Sequence, residues 1–512
     1  MMDYFSNNRR LAKNTLMLYA RMLLVMLVTL YTSRVVLRVL GVEDYGIYSI
    51  VGVVVVSFSI LSNAMSGAIS RFITFSLGQG DIEKVRKLFG VAVTIQFCIG
   101  TLIIVCAEIV GLYLLNTQMN IPQGRMEAAN ILFQFSLAIF IIKLFSVPFN
   151  ALIISNERMS VYAYFGIGEV LLQLAVVFVL QLFPVDKLIM YGFLLSVVVL
   201  IYVTMQYTYC KRAFLSQMAK PTFDKKLFKE MAGFASWNFI GTSAGILKNQ
   251  GVDIIVNIFT GVAINAARGI ALQVNSAVTN FSENFITALR PQIIKTYAAN
   301  DGAHLNFLVE QGARFSGYLL LFLTIPLILE MDTLLQLWLK VVPLHTATFA
   351  RLQLIDAVVV SLSQTLVIVL LATGKIRNYQ LVVGGINLLN MPLSWLLLYL
   401  GFPVLVTYIV SISLNVLCLV CRLLFANHLA NVVIFHYVRK VVINVIVVAC
   451  SSVVLPLIIT YLLEPSLQRM VIVVITCILT TSLSILYIGM AASERTYIYS
   501  KVFGLISKFH GK

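Results

Sequence analysis

The sequence predicts an all-α integral membrane fold of about fourteen transmembrane helices. Three observations carry this. Apolar residues fill 60% of the 512 positions and charged residues only 11%, whereas a soluble chain carries about a quarter charged residues. Mean hydropathy is +0.94, and the apolar stretches recur from end to end without a long polar interval. Basic residues gather in alternate connections, the asymmetry that orients membrane helices.

In chain order, the first helix is expected over 14–34. Its basic start runs into an apolar span with no small-residue cleavage site after it, so it reads as a retained helix rather than a leader. Further helices are expected over 46–77, 88–115, 129–154, 162–183 and 188–209, then 232–259 and 262–289. Six more follow over 308–333, 347–372, 379–400, 404–427, 440–463 and 468–490. With the N-terminus inside, the inner connections hold Arg9, Arg10 and Lys13, then Lys84, Arg86 and Lys87, then the run from Lys211 to Lys229. The outer connections hold only scattered cations such as Arg125, Lys187 and Arg469. Both termini are therefore expected in the cytoplasm, with an even number of spans. Orientation and anionic lipid account for much of the net charge of +16 without a nucleic-acid partner.

The longest connections, Asn116 to Ala128 and Cys210 to Met231, are too short for a folded catalytic domain. The seven cysteines mostly lie in apolar runs, where Cys behaves as a small hydrophobe, so neither disulfides nor a metal site is implied.

An internal repeat is visible. Laying Gly41-Val42 on Gly261-Val262 brings Ile50 onto Ile270, Asp81 onto Asp301 and Leu88 onto Leu308 without a gap. Ser59, Ser62 and Asn63 fall on Thr279, Ser282 and Glu283, so polar positions at helical spacing recur in both copies. Six spans separate the copies, which predicts two pseudo-symmetric six-helix lobes, 1–210 and 211–430. Residues 431–512 form an extra helix pair and a cytoplasmic tail. Such two-lobed membrane proteins place substrate at the lobe interface and alternate its access.

Ionisable groups within a span cost at least about 2.5 kcal/mol at the centre, so they face a cavity or a partner. Arg21 lies in the first expected helix, Arg71 in the second and Lys143 in the fourth. The seventh carries Asn238, Thr242, Asn249, Asp253 and Asn257 as one stripe with Lys248 beside it; the eighth carries Arg268, Asn275, Thr279 and Ser282, with Glu283 and Arg290 nearby. These surfaces are unsuited to lipid. With Asn63 they become candidate walls of a hydrated, cationic cavity fit for an anionic head group such as a pyrophosphate, with Arg21, Arg268, Lys248, Arg71 and Arg290 as the cations. Two readings stand for Arg71, Arg290 and Lys143, since long cations also snorkel or pair with neighbouring acids. Lys248 has Asp253 within reach as a partner. Arg21 and Arg268 have apolar flanks and no neutralising neighbour in sequence, which favours the cavity. Glu108, Glu169, Glu330 and Asp356 suit either ion coupling or structural ion pairs.

Several apparent motifs fail on context. Gly241-Thr-Ser243-Ala-Gly245 matches a nucleophile elbow, but that motif requires a strand, a sharp turn and a helix. Inside a transmembrane helix the same residues serve small-residue packing. Cys418-Leu-Val-Cys421 is embedded in an apolar run, the five histidines show no ligand spacing, and no phosphate-cradling loop appears. The sequence therefore argues against an ATPase or a metalloenzyme.

Three stretches stand out: Leu11-Ala-Lys-Asn14, Arg38-Val-Leu-Gly41-Val-Glu-Asp-Tyr45-Gly46-Ile-Tyr48, and Ser70-Arg71-Phe72 leading to Gly80-Asp81. On these residues the chain resembles the polysaccharide-transport branch of the multidrug/oligosaccharidyl-lipid/polysaccharide flippase superfamily, the Wzx-type O-antigen flippases. The resemblance implies a MATE/MOP-like fold, no catalysis, and a bacterial inner-membrane location. It also implies translocation of an undecaprenyl-pyrophosphate-linked glycan to the periplasmic leaflet for O-antigen or capsular polysaccharide assembly. Other polysaccharide assembly proteins are implied partners alongside membrane lipids, and a proton or sodium ion is the only coupling species suggested, with no cofactor. Two rivals share the fold: a cation-coupled multidrug exporter, whose cavity would present an acid where the first helix presents Arg21, and a peptidoglycan-precursor flippase. A membrane glycan polymerase or ligase would handle the same carrier, but it would need a sizeable catalytic loop.

Overall fold

The computed structural model describes residues 2–56, 59–117, 121, 123–182, 184–260, 262–339, 342–491 and 494–496. Regular structure among these residues is entirely helical. A bilayer offers the backbone no hydrogen-bond partners, so a spanning segment must satisfy its own N–H and C=O groups, and the helix does so within one segment.

The helices, in order, are α1 (Met2–Val56), α2 (Ser59–Gly78), α3 (Ile82–Thr117), α4 (Met126–Ser155), α5 (Met159–Leu182), α6 (Lys187–Ala213), α7 (Lys225–Thr260) and α8 (Val262–Ala298). They continue with α9 (Gly302–Leu329), the short α10 (Met331–Trp338), α11 (Thr346–Ser361), α12 (Gln364–Thr373), α13 (Arg377–Tyr399), α14 (Val406–Ala430), α15 (Ile434–Leu462) and α16 (Leu467–Gly489). Nine of the described helices are long and apolar enough to cross a membrane, and a tenth span results if α11 and α12, bent by 41°, are taken together. The other four expected spans fall on α1, α2, α7 and α8. These are the helices that carry the candidate polar residues.

Two sequence expectations are corrected. The connection expected between the first two spans is helical on both sides of Gly41, where the chain turns at φ 82°, ψ 170°, a conformation nearly confined to glycine. The tenth expected span, 347–372, is broken between Ser361 and Gln364.

Helix starts follow local chemistry. The Asp81 carboxylate accepts from the Lys84 amide at 2.9 Å, Asp186 accepts from the Leu188 and Ile189 amides, and Ser466 accepts from the Arg469 amide. Each satisfies donors left open by the first turn. The repeat is visible in backbone geometry. Gly80 and Asn300, equivalent in the two copies, both adopt positive φ. Bonds Gln79 to Phe75, Gly80 to Leu77 and Asp81 to Ser76 have counterparts in Ala299 to Lys295, Asn300 to Tyr297 and Asp301 to Thr296.

The chain divides into two compact units, Met1–Ser243 with Thr287–Asp301, and Ala244–Ile286 with Gly302–Lys512, so α7 and α8 contribute to both. In the first unit, α1 packs on α5, and α4 packs on α6 and α2. Val51, Leu132, Phe133, Val177 and Leu188 are buried at its core. Leu18, Met159 and Ala288 form a smaller cluster. The second unit buries Val256, Ala271, Leu320, Phe349 and Leu354. Its α15 and α16 pack on each other and on α9. The Arg469 guanidinium reaches Glu330 at 2.9 Å with both side chains nearly buried, while Arg314 and Tyr318 donate to the Gly489 carbonyl at 3.2 and 2.8 Å. Glu330 is thus committed to an ion pair.

Candidate functional site

Each unit holds intramembrane charge, but the charge is balanced differently. In the first unit, Arg21 of α1 lies over the Tyr162 ring of α5, 4.5 Å from its centroid. One turn further along α5 is Gly166, where a β-carbon would come within 2.2 Å of the Arg21 Nε. The missing side chain is what admits the guanidinium. Its Nε is buried without a hydrogen-bond partner, and no carboxylate pairs with Arg21 among the described residues. A desolvated cation–π contact contributes about 2 kcal/mol. The cost of a charge at the centre of a span is at least about 2.5 kcal/mol, so the ring alone does not balance it.

Nearby, Lys143 of α4 pairs with Glu169 of α5 at 2.6 Å, and Gln173 donates to the same carboxylate. Lys143 is therefore paired, as one of its two sequence readings allows. Gln206 of α6 donates to Asn150 of α4, which donates to Ser146. Arg71 of α2 is buried with its guanidinium 4.6, 5.1 and 5.4 Å from the centroids of Phe72, Phe75 and Phe234. Arg290 is half-buried in the part of α8 belonging to this unit.

In the second unit the cations have partners. Arg268 Nε donates to Asp253 Oδ1 at 2.7 Å and its terminal nitrogen to Thr407 Oγ1 at 3.1 Å, with the guanidinium carbon 4.8 Å from the Tyr408 ring. The sequence shows no adjacent acid for Arg268. The neutralising carboxylate comes from the preceding helix. Lys248 does not take Asp253: its ammonium donates to Asn415 Oδ1 at 3.0 Å, and the Asn415 amide donates to Asp356 at 2.7 Å. Ser411 donates to the other Asp356 oxygen at 3.2 Å. Asn275 is half-buried with its amide oxygen unbonded, and Glu283 is exposed. The side chains of Asn63, Asn249 and Asn257 lie outside the described residues.

The structure thus joins Asp253 to Arg268 and bonds Lys248 to Asn415 instead. Sequence reasoning missed Tyr162 and Gly166 as the setting of Arg21, and Thr407 and Asn415 as partners in the second unit. For the latter a signal exists: Thr407, Ser411 and Asn415 recur every four residues on one face of an apolar helix. For Gly166 there was none, since a glycine in an apolar helix is ordinary.

No family model matches the chain, and no curated protein matches it. Solved structures do. A MATE protein in the straight conformation superposes with TM-score 0.70 at 11% identity, over 83% of this chain and 97% of that one. The outward-facing multidrug resistance MATE family transporter of the MOP superfamily gives 0.70 at 11%, over 83% and 96%. The Vibrio cholerae MATE transporter VcmN in its bent form gives 0.67 at 14%, over 83% and 98%. The chain has the all-α membrane fold of the MATE transporters. At these identities the likeness is one of fold.

Proposed function

We propose that this protein is a flippase that moves an undecaprenyl-pyrophosphate-linked oligosaccharide from the cytoplasmic to the periplasmic leaflet of a bacterial inner membrane. It serves O-antigen or capsular polysaccharide assembly, with both termini in the cytoplasm and two six-helix lobes alternating access. The observation that carries the reading is Arg21, held against an aromatic ring with no acid partner among the described residues. An intramembrane cation of this kind is stabilised when an anionic group reaches it, and a guanidinium matches phosphate oxygens in geometry as well as charge. Arg268, already paired, is a weaker candidate for direct contact than the sequence suggests. A coupling proton or sodium ion and contacts with other assembly proteins belong to the same proposal.

The fold likeness to multidrug MATE transporters favours a second reading, a cation-coupled exporter. A cationic drug would meet Arg21 as a repulsive charge, which weighs against it.

The test is lipid mass spectrometry on host cells lacking the chain, with leaflet accessibility probed by a membrane-impermeant glycosidase. Complete repeat units held on the cytoplasmic face, and released when the chain is restored, are expected. Repeat units that reach the periplasm but remain unpolymerised would place the protein after translocation.

A further inference from the structure

The first unit holds a second intramembrane cation close to Arg21. Lys143 stands near the middle of α4 and Glu169 near the middle of α5. Their ion pair is 2.6 Å long, and its partners differ in exposure, the lysine side chain 45% open and the glutamate 14%. Intramembrane lysines face a bundle interior or a water-filled cavity far more often than acyl chains, so the open side of Lys143 suits access by a ligand. An ammonium has three donors and Glu169 occupies one, which leaves two for a ligand.

Glu169 follows Gly166 by three residues, so the two share a face of α5 with side-chain origins roughly 5–6 Å apart. Arg21 packs at Gly166 and Lys143 at Glu169, so the two cations flank one turn of α5. A diphosphate diester presents two negative charges, one on each phosphate, a few ångströms apart. A monophosphate ester presents both on one phosphorus.

We infer that Lys143, oriented by Glu169, is the second cationic contact of this site: it takes one phosphate while Arg21 takes the other, so the site selects diphosphate esters over monophosphates. Glu169 is a positioning residue. The inference rests on the flippase reading for the nature of the lipid and adds how its diphosphate is recognised.

The probes are the diphosphate diester P1-geranyl P2-methyl diphosphate and the monophosphate ester geranyl phosphate, titrated by calorimetry into the full chain in lipid nanodiscs. Wild type binds the diphosphate more tightly, and Lys143→Gln lowers that preference about tenfold while Lys143→Arg keeps it. The neutral double variant Lys143→Gln/Glu169→Gln removes both partners of the pair, so neither is left as a lone charge, and it guards against a folding defect; it loses the preference too. Arg21→Gln weakens both esters. A wild-type preference retained in Lys143→Gln and in the double variant, or no preference in wild type, overturns the inference. If Arg21→Gln changes neither ester, the failure belongs to the anionic-substrate reading instead.

Discussion

Gly78 of α2 lies against the backbone of α8, where a β-carbon would come 2.7 Å from the Lys295 Cα and 3.0 Å from its carbonyl oxygen. The Lys295 ammonium, on the same turn, reaches Glu157 at 2.8 Å. Backbone atoms cannot step aside as a side chain does. Gly78→Ala is therefore expected to cost about 1–3 kcal/mol through overpacking, read as a lower thermal midpoint in detergent. Gly168→Ala in α5 is the control: nothing lies within 4 Å of the new methyl, so helix propensity favours it by up to about 1 kcal/mol.

Gly166→Ala acts on a different kind of neighbour. Its β-carbon meets the far end of a flexible side chain, Arg21 Nε, so the arginine is displaced and the helices stay. The expected result is an unchanged thermal midpoint with transport reduced roughly tenfold to a hundredfold, the range a misplaced contact group produces. Arg21→Gln is expected to abolish transport while membrane insertion persists. Normal transport by both variants would remove Arg21 from the site.

The Arg469–Glu330 pair is a structural test. With side-chain exposures of 12% and 2%, Glu330→Gln leaves a buried arginine without its counter-charge and is expected to cost about 3 kcal/mol or more. Glu330→Gln/Arg469→Gln should recover most of that loss, because neither charge then remains buried alone. Any transport defect should track folded protein rather than appear in purified, folded samples.

Outside the spans, Arg125 joins Asp44 at 2.6 Å and also pairs with Asp186. Its hydrogen bond to Asp186 holds that carboxyl below the usual range, against a partial desolvation that acts the other way. A carboxyl depressed in the folded state stabilises the fold at pH above its unfolded value of about 3.9 and loses that contribution as pH falls through the lower folded value. Thermal midpoints should therefore drop below about pH 4, and Arg125→Gln should flatten the drop. An unchanged pH profile in the variant would show that the contact contributes nothing to stability.

Much of the fold was legible because bilayer crossing imposes a simple rule on sequence. Long apolar windows located α3 to α6, α9 and α13 to α16, and the repeat offset anticipated the matching corners at Gly80 and Asn300. Legibility failed where the rule loosens. The chain continues as helix on both sides of Gly41, since one glycine turns the backbone without a polar loop. Between Ser361 and Gln364 the apolar run continues while the backbone breaks.

The sequence by itself determined that this is a helical membrane protein with a repeated plan and that cations lie within its spans. Periodicity and the cost of burying charge require no knowledge of neighbours. Only the tertiary structure decided which cations are balanced. Arg21 and Arg268 look alike along the chain, each a lone arginine with apolar flanks. Asp253 reaches Arg268 across two packed helices, whereas Arg21 meets a tyrosine ring and a glycine notch. Whether a buried charge is free to receive a ligand depends on atoms within a few ångströms, and those atoms come from helices distant in sequence.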